Sequence, residues 1–75
     1  MTDNSYNGWA NYETWNISLW LQNEYSFWKL ARKFDNYNRL IPHLENNFGQ
    51  TTPDGVRWMN PSVNVEELNA MLSEM

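Results

Sequence analysis

General acid–base chemistry most often uses an imidazole or a carboxyl group within hydrogen-bond reach of its target, and the 75-residue sequence holds one imidazole, His43. A metal site built on two or three histidines is therefore excluded within one chain, and a mixed site would need several carboxylates converging from different elements. Glu45, two residues after His43, points elsewhere if the segment is helical. Ser26, Ser62 and Ser73 are the hydroxyls that could complete a nucleophilic triad, but none is flanked by the glycines of a nucleophile elbow. Glu66 and Glu67 are adjacent, so on a helix they diverge by roughly 100° and do not face one substrate. The macrodipole at a helix start already accounts for both. No phosphate loop, dinucleotide fingerprint, calcium loop or zinc motif is present. No catalytic, cofactor-binding or metal-ligating residue is assigned, and the expected protein is not an enzyme.

Binding chemistry is better represented. Lys29, Arg32, Lys33 and Arg39 fall within one short segment beside Trp28, an indole able to stack a base or take a cation–π contact from Arg32. The alternatives are an acidic protein partner and a solvated helix face whose cations complement the dipole. Trp9, Trp15, Trp20, Trp28 and Trp58 are many for so small a domain, and aromatics are enriched at binding hot spots. Core packing is the competing use for each. The interaction candidates are Trp9, Tyr12, Trp20, Trp28, Arg32 and Trp58.

Composition narrows the partners. Nine acids against five bases give a net charge of −4, which disfavours a general phosphate binder because such affinity comes from cations displacing counterions. The chain has no cysteine, so disulfide scaffolds and thiol chemistry are excluded and a reducing compartment, the cytoplasm, is expected. The polar start from Met1 to Gly8 predicts no signal peptide, and the longest apolar run, Leu19-Trp20-Leu21, predicts no membrane span. Twelve asparagines lower the mean hydropathy to −0.77 and supply many caps, hence many short elements.

The elements that must position these residues read as an all-α single domain over 1–75, three to four short helices with an irregular Pro/Gly turn segment around 49–63. Residues 1–10 form a polar, partly disordered lead-in. The first helix runs from an Asn11 cap to about Gln22 with Glu13 in its first turn. It carries two apolar stripes, Tyr12, Trp15 and Leu19 on one side and Ile17, Trp20 and Leu21 on the other. The first is taken as inward. The second must then be covered by Met71 and Met75, or by another chain in a homo-oligomer or complex. A second helix is predicted from Glu24 to Asn38, with Phe27, Leu30, Ala31, Phe34 and Tyr37 facing the core and Trp28 the most exposed aromatic. A third spans Leu40 to Phe48, with Pro42 in its first turn and Gly49 past its end. Thr52-Pro53-Asp54-Gly55 is turn chemistry, and Val56-Arg57-Trp58 is extended with no evident pairing partner. Asn64 caps the last helix, Glu67 is its third residue, and Val65, Leu68, Met71, Leu72 and Met75 face inward. The predicted core is Trp15, Leu19, Phe27, Leu30, Phe34, Leu44, Leu68 and Leu72.

The run Tyr6-Asn7-Gly8-Trp9-Ala10-Asn11-Tyr12-Glu13-Thr14-Trp15-Asn16 resembles the signature N-G-W-x-N-Y-E-T-W of small uncharacterised proteins of phages, plasmids and bacterial genomes. Thr52-Pro53-Asp54-Gly55-Val56-Arg57-Trp58, followed by Asn60-Pro61, is similar to that family's C-terminal pattern. The resemblance implies no activity; its mobile-element setting implies a factor acting on a host protein. Read physically, every position of the first run has a structural use: Asn11 caps, Glu13 meets the dipole, and Gly8 lets Trp9 fold back over the Tyr12 and Trp15 face. The expected function is a non-enzymatic accessory module that binds a host protein through an aromatic surface. The alternative is nucleic-acid binding through Trp28 and the cations of the second helix.

Overall fold

The computed structural model describes Tyr6 and residues 8–75. The disorder expected of the lead-in concerns residues that lie largely outside the described ones. Four helices follow in order: α1 (Tyr12–Asn23), α2 (Tyr25–Ala31), α3 (Tyr37–Phe48) and α4 (Val65–Ser73). Among the described residues the only β pairing is two isolated antiparallel bridges, so the domain is all-α.

Three helices start on asparagine side chains. Asn11 accepts from Thr14 N–H at 2.9 Å, Asn36 from Asn38 N–H at 2.9 Å, and Asn64 from Glu67 N–H at 3.1 Å. Each bond satisfies a donor that the first helical turn leaves without an intrahelical partner. Glu24, extended at φ −96° and ψ 120°, ends α1 and begins α2, so a single residue makes the bend between them.

The second helix is shorter than its periodicity predicts. It stops at Ala31, where Lys33 N–H and Phe34 N–H reach back three residues to Leu30 and Ala31. A new helix then starts at Tyr37. The break is stabilised from outside: Asn69 on α4 accepts the Tyr37 N–H at 2.6 Å while Asn36 takes the next donors. Phe34 and Tyr37 keep a helical spacing across a break that this spacing cannot reveal. The earlier start of α3 also moves Pro42 from the first turn into the helix interior. Asn38 and Pro42 are both exposed, so the carbonyl left without its i+4 donor lies on the watered side of the helix.

The inward stripe of α1 is the reverse of the one predicted. Ile17 and Leu21 are fully enclosed, together with Thr14, Asn16 and Ser18, whereas Trp15 and Leu19 are half-buried and Tyr12 is 41% exposed. Met71 and Met75 are half-buried and pack against the core cluster that contains Ile17 and Leu21. Phe27, Leu44, Leu68 and Leu72 are buried as expected, and Leu30 and Phe34 are half-buried.

Trp58, expected among the contact residues, is 0% exposed and forms the centre of the core. Its Nε1 donates to Gly49 O at 2.9 Å, and Tyr37 Oη donates to Trp58 O at 2.6 Å. The Phe27 ring meets Trp58 edge-on at 5.6 Å and touches Phe48 at 4.5 Å and Trp20 at 6.2 Å. What delivers Trp58 to this position is a hairpin. Thr52 N–H donates to Val56 O at 2.8 Å, Trp58 N–H donates to Gln50 O at 3.1 Å, and Gly55 turns the chain at φ 91°. The extended segment 56–58 thus pairs with the residues just before the turn, the partner that the sequence left unassigned.

Candidate functional site

The residues of the N-terminal run are brought together with the two later motifs through two hydrogen-bonded networks. In the first, the starts of α1 and α4 cap each other. Asn11 Oδ1 accepts from both the N–H and the hydroxyl of Thr14, at 2.9 and 2.6 Å, and Thr14 Oγ1 in turn accepts the N–H of Asn64 at 2.9 Å. Asn11 Nδ2 donates to Ser62 O at 2.5 Å, and Glu67 Oε1 accepts from Ala10 N–H at 2.8 Å. Glu67 does not close the reciprocal capping box on its own helix. It ties α4 to the chain entering α1.

The second network joins α1 to the hairpin. Asn16 is buried and bridges two groups: its Nδ2 donates to Asp54 Oδ2 at 2.8 Å, and its Oδ1 accepts from Thr52 Oγ1 at 2.7 Å. Trp20 Nε1 donates to the same Asp54 oxygen at 2.9 Å. The hydrogen bond from Asn16 and then that from Trp20 hold the Asp54 carboxyl below the usual carboxylate range. Thr52 Oγ1 also accepts from the Asp54 and Val56 N–H groups at 3.2 Å each, so the turn is braced from within. Asn11, Thr14 and Asn16 from the first motif, Trp20 one helical turn beyond it, and Thr52 and Asp54 from the second motif therefore have structural partners.

What the motif leaves outside the core is aromatic. Tyr6 and Trp9 pair backbone to backbone at 2.6 and 2.8 Å around Gly8, whose φ is 90°. This turn sends Tyr6, rather than Trp9, over the outer face of α1, where its ring meets Tyr12 at 5.5 Å and Trp15 at 4.8 Å. Tyr12 and Trp15 are 5.7 Å apart. Tyr6 and Tyr12 are each 41% exposed, and the stripe continues into an open hollow of about 320 Å³ beside Leu19, Trp20 and Glu24. Trp9 turns to the other side, half-buried against the core near Met71.

A second aromatic row lies on α2. Tyr25 stacks on Trp28 at 5.8 Å and 30°, and the Arg32 guanidinium lies 4.7 Å from the Trp28 ring centre. Trp28 is therefore half-buried between intramolecular partners, and the exposed aromatic of this row is Tyr25, at 66%. Sequence reasoning missed Tyr6 and Tyr25. The first was signalled by Asn7-Gly8 between two aromatics, a hairpin-turn dipeptide. The second had the i, i+3 spacing to Trp28.

Of the groups first considered for catalysis, His43 is exposed with its ring 4.8 Å from Phe34, and Ser73 Oγ donates to Ala70 O. Among the described residues no three His, Asp or Glu side chains gather to hold a metal ion, and no helix is long and apolar enough to cross a membrane. The arrangement defines a small four-helix domain whose sequence motifs lock its elements together and leave an aromatic face outside. The chain belongs to the family described as "Family of unknown function (DUF7249)", which matches residues 2–75. No curated protein and no solved structure matches it.

Proposed function

We propose that the protein is a non-enzymatic binding module that contacts another protein through the outer face of α1. The observation that carries this reading is the Tyr6, Tyr12 and Trp15 cluster, three aromatic rings gathered on the side of α1 that its own core does not use. Partly exposed aromatics supply large contact area at low entropic cost, which is why they recur at protein–protein hot spots. The partner is a host protein in a bacterial cytoplasm. This setting follows from the resemblance of the N-terminal run to proteins of phages and other mobile elements, and from a cysteine-free composition that suits a reducing compartment. Capture from a bacterial lysate with the wild-type protein and with Tyr12→Ser, with and without nuclease, is the test. A catch that survives nuclease and is lost in Tyr12→Ser supports the module; equal catches from both proteins overturn it.

The Tyr25, Trp28 and Arg32 row favours one other reading, a single-stranded nucleic acid stacked on Tyr25 with phosphates at Lys29 and Lys33, which border a shallow hollow of about 150 Å³. Its weakness is that Trp28 already has Tyr25 and Arg32 against it, and the overall charge is negative. A nuclease-sensitive catch would favour it.

A further inference from the structure

Along α4 and its C-cap, Glu67, Ala70, Met71 and Glu74 follow one another at i, i+3, i+4 and i+7 and line an open groove of about 370 Å³ together with Trp9 and Gln22. The floor of the groove is apolar at its middle, where Ala70 leaves room and Gln22 Nε2 lies 3.1 Å from Met71 Sδ. Its two ends are carboxylates, separated along the helix axis by about 10 Å at 1.5 Å per residue. Among the described residues no basic side chain lines it.

One of those carboxylates is explained by the fold and the other is not. Glu67 sits in the first turn, where the dipole favours it, and its Oε1 is fixed by Ala10 N–H at 2.8 Å. Glu74 stands at the opposite end, the negative pole, in a helix with no base in its last turn. An acid there is disfavoured by the helix that carries it. A cation brought by another molecule would reverse that penalty.

From this geometry we infer that the groove between α4 and Trp9 receives a cationic amphipathic segment of a partner protein, an arginine- or lysine-bearing helix that sets its basic residues at Glu67 and Glu74 and a small apolar residue over Ala70. Arginine suits the Trp9 end, because a guanidinium stacks on an indole and pairs with a carboxylate at once. The inference rests on the protein-binding reading and specifies the chemistry of the partner, at a surface separate from the Tyr6, Tyr12 and Trp15 cluster.

The test uses the full chain labelled with nitrogen-15 and, as probe, a short amphipathic peptide of leucine, alanine and arginine, with a second peptide bearing glutamate at each arginine position. The arginine peptide is expected to shift the Trp9 indole and the Ala70 and Met71 amides, to bind more weakly as salt rises, and to lose affinity by about tenfold or more in Ala70→Arg and in Glu74→Lys. Both replaced residues are exposed, so the variants should keep the wild-type spectrum elsewhere. Absence of shifts at about 1 mM peptide, a regime that reveals even weak contacts, would overturn the inference. So would equal response to the glutamate peptide, shifts confined to another face, or unchanged affinity in both variants. Dilution-dependent shifts without peptide would assign the groove to a second copy of the chain and overturn it too. Tyr12→Ser should leave the peptide affinity unchanged. Loss of lysate capture in Tyr12→Ser alongside a silent groove would sink only this inference, whereas unaltered capture alongside a responsive groove would sink only the outer-face reading.

Discussion

Trp20 Nε1 and Asp54 Oδ2 meet at 2.9 Å, 34 positions apart in the chain, and the same oxygen takes Asn16 Nδ2 at 2.8 Å. One exposed carboxylate thereby ties α1 to the hairpin that carries Trp58 into the core. The pairing links the two sequence motifs physically and makes the Pro53–Gly55 turn part of the core's support.

That anchor has a pH signature. The folded-state carboxyl of Asp54 lies below its unfolded value of about 3.9, so its contribution is present above that value and is lost as pH falls through the folded value. Asp54→Asn keeps an oxygen able to accept both bonds but cannot titrate. The stability difference between wild type and Asp54→Asn should shrink on acidification below about pH 4. Parallel urea-unfolding curves for the two proteins across pH 2 to 6 would contradict this role.

Asn16 is the buried half of the same network, and Asn16→Ala leaves Thr52 Oγ1 and Asp54 Oδ2 without one partner each. The expected cost is about 1 to 3 kcal/mol. In a double-mutant cycle with Asp54→Ala the two losses should be non-additive, since they share one bond. Strict additivity would separate the two residues energetically.

The capping asparagines should differ from each other. Asn64 uses only its oxygen, so Asn64→Ala should cost about 1 kcal/mol and Asn64→Ser only a few tenths. Asn11 also donates through Nδ2 to Ser62 O. Neither Asn11→Ser nor Asn11→Asp restores that donor, and the aspartate would face a carbonyl oxygen. Thermal melts should therefore show rescue by serine at position 64 and little at position 11; equal rescue at both would remove the Ser62 bond from the account.

The reversal of the α1 stripe changes which truncations matter. Trp58→Ala and Leu21→Ala should cost about 3 to 5 and 2 to 5 kcal/mol, enough to unfold a domain of this size. Trp15→Ala, which removes a half-buried ring, should cost less than Leu21→Ala. A Trp15→Ala protein less stable than Leu21→Ala would return Trp15 to the core.

Tyr37 should set the alkaline limit. Burial, and then the negative charge of Glu45, push its phenol far above the ordinary value of about 10. A raised folded-state value means that the stabilisation is full below about pH 10 and is lost as pH rises towards the folded value. Tyrosinate absorbance should show one of the four tyrosines silent until the protein unfolds, and Tyr37→Phe should abolish that late step while costing about 1 to 3 kcal/mol through the orphaned Trp58 carbonyl. An absorbance titration of Tyr37→Phe that keeps the late step would refute the assignment.

Features whose causes lie within a few residues were legible in the chain alone. Asn11 and Asn64 cap because the donors they satisfy are three positions away, Gly49 ends α3 because only glycine readily takes its φ of 96°, and Thr52-Pro53-Asp54-Gly55 turns through its own hydroxyl and glycine. The all-α class follows from those local signals. Which face of α1 turns inward was set by packing against the rest of the domain, because that helix is apolar on two sides and its buried side contains the polar residues Thr14, Asn16 and Ser18. Their burial is tolerable because Asn64, Thr52 and Asp54 arrive from elsewhere, beside the local cap Asn11, to pair Thr14 and Asn16. The break between α2 and α3 was decided in the same way, by an Asn69 side chain on α4 reaching the Tyr37 N–H. Hydrophobic period reports where a helix can bury itself, and partners distant in sequence choose between the faces it offers.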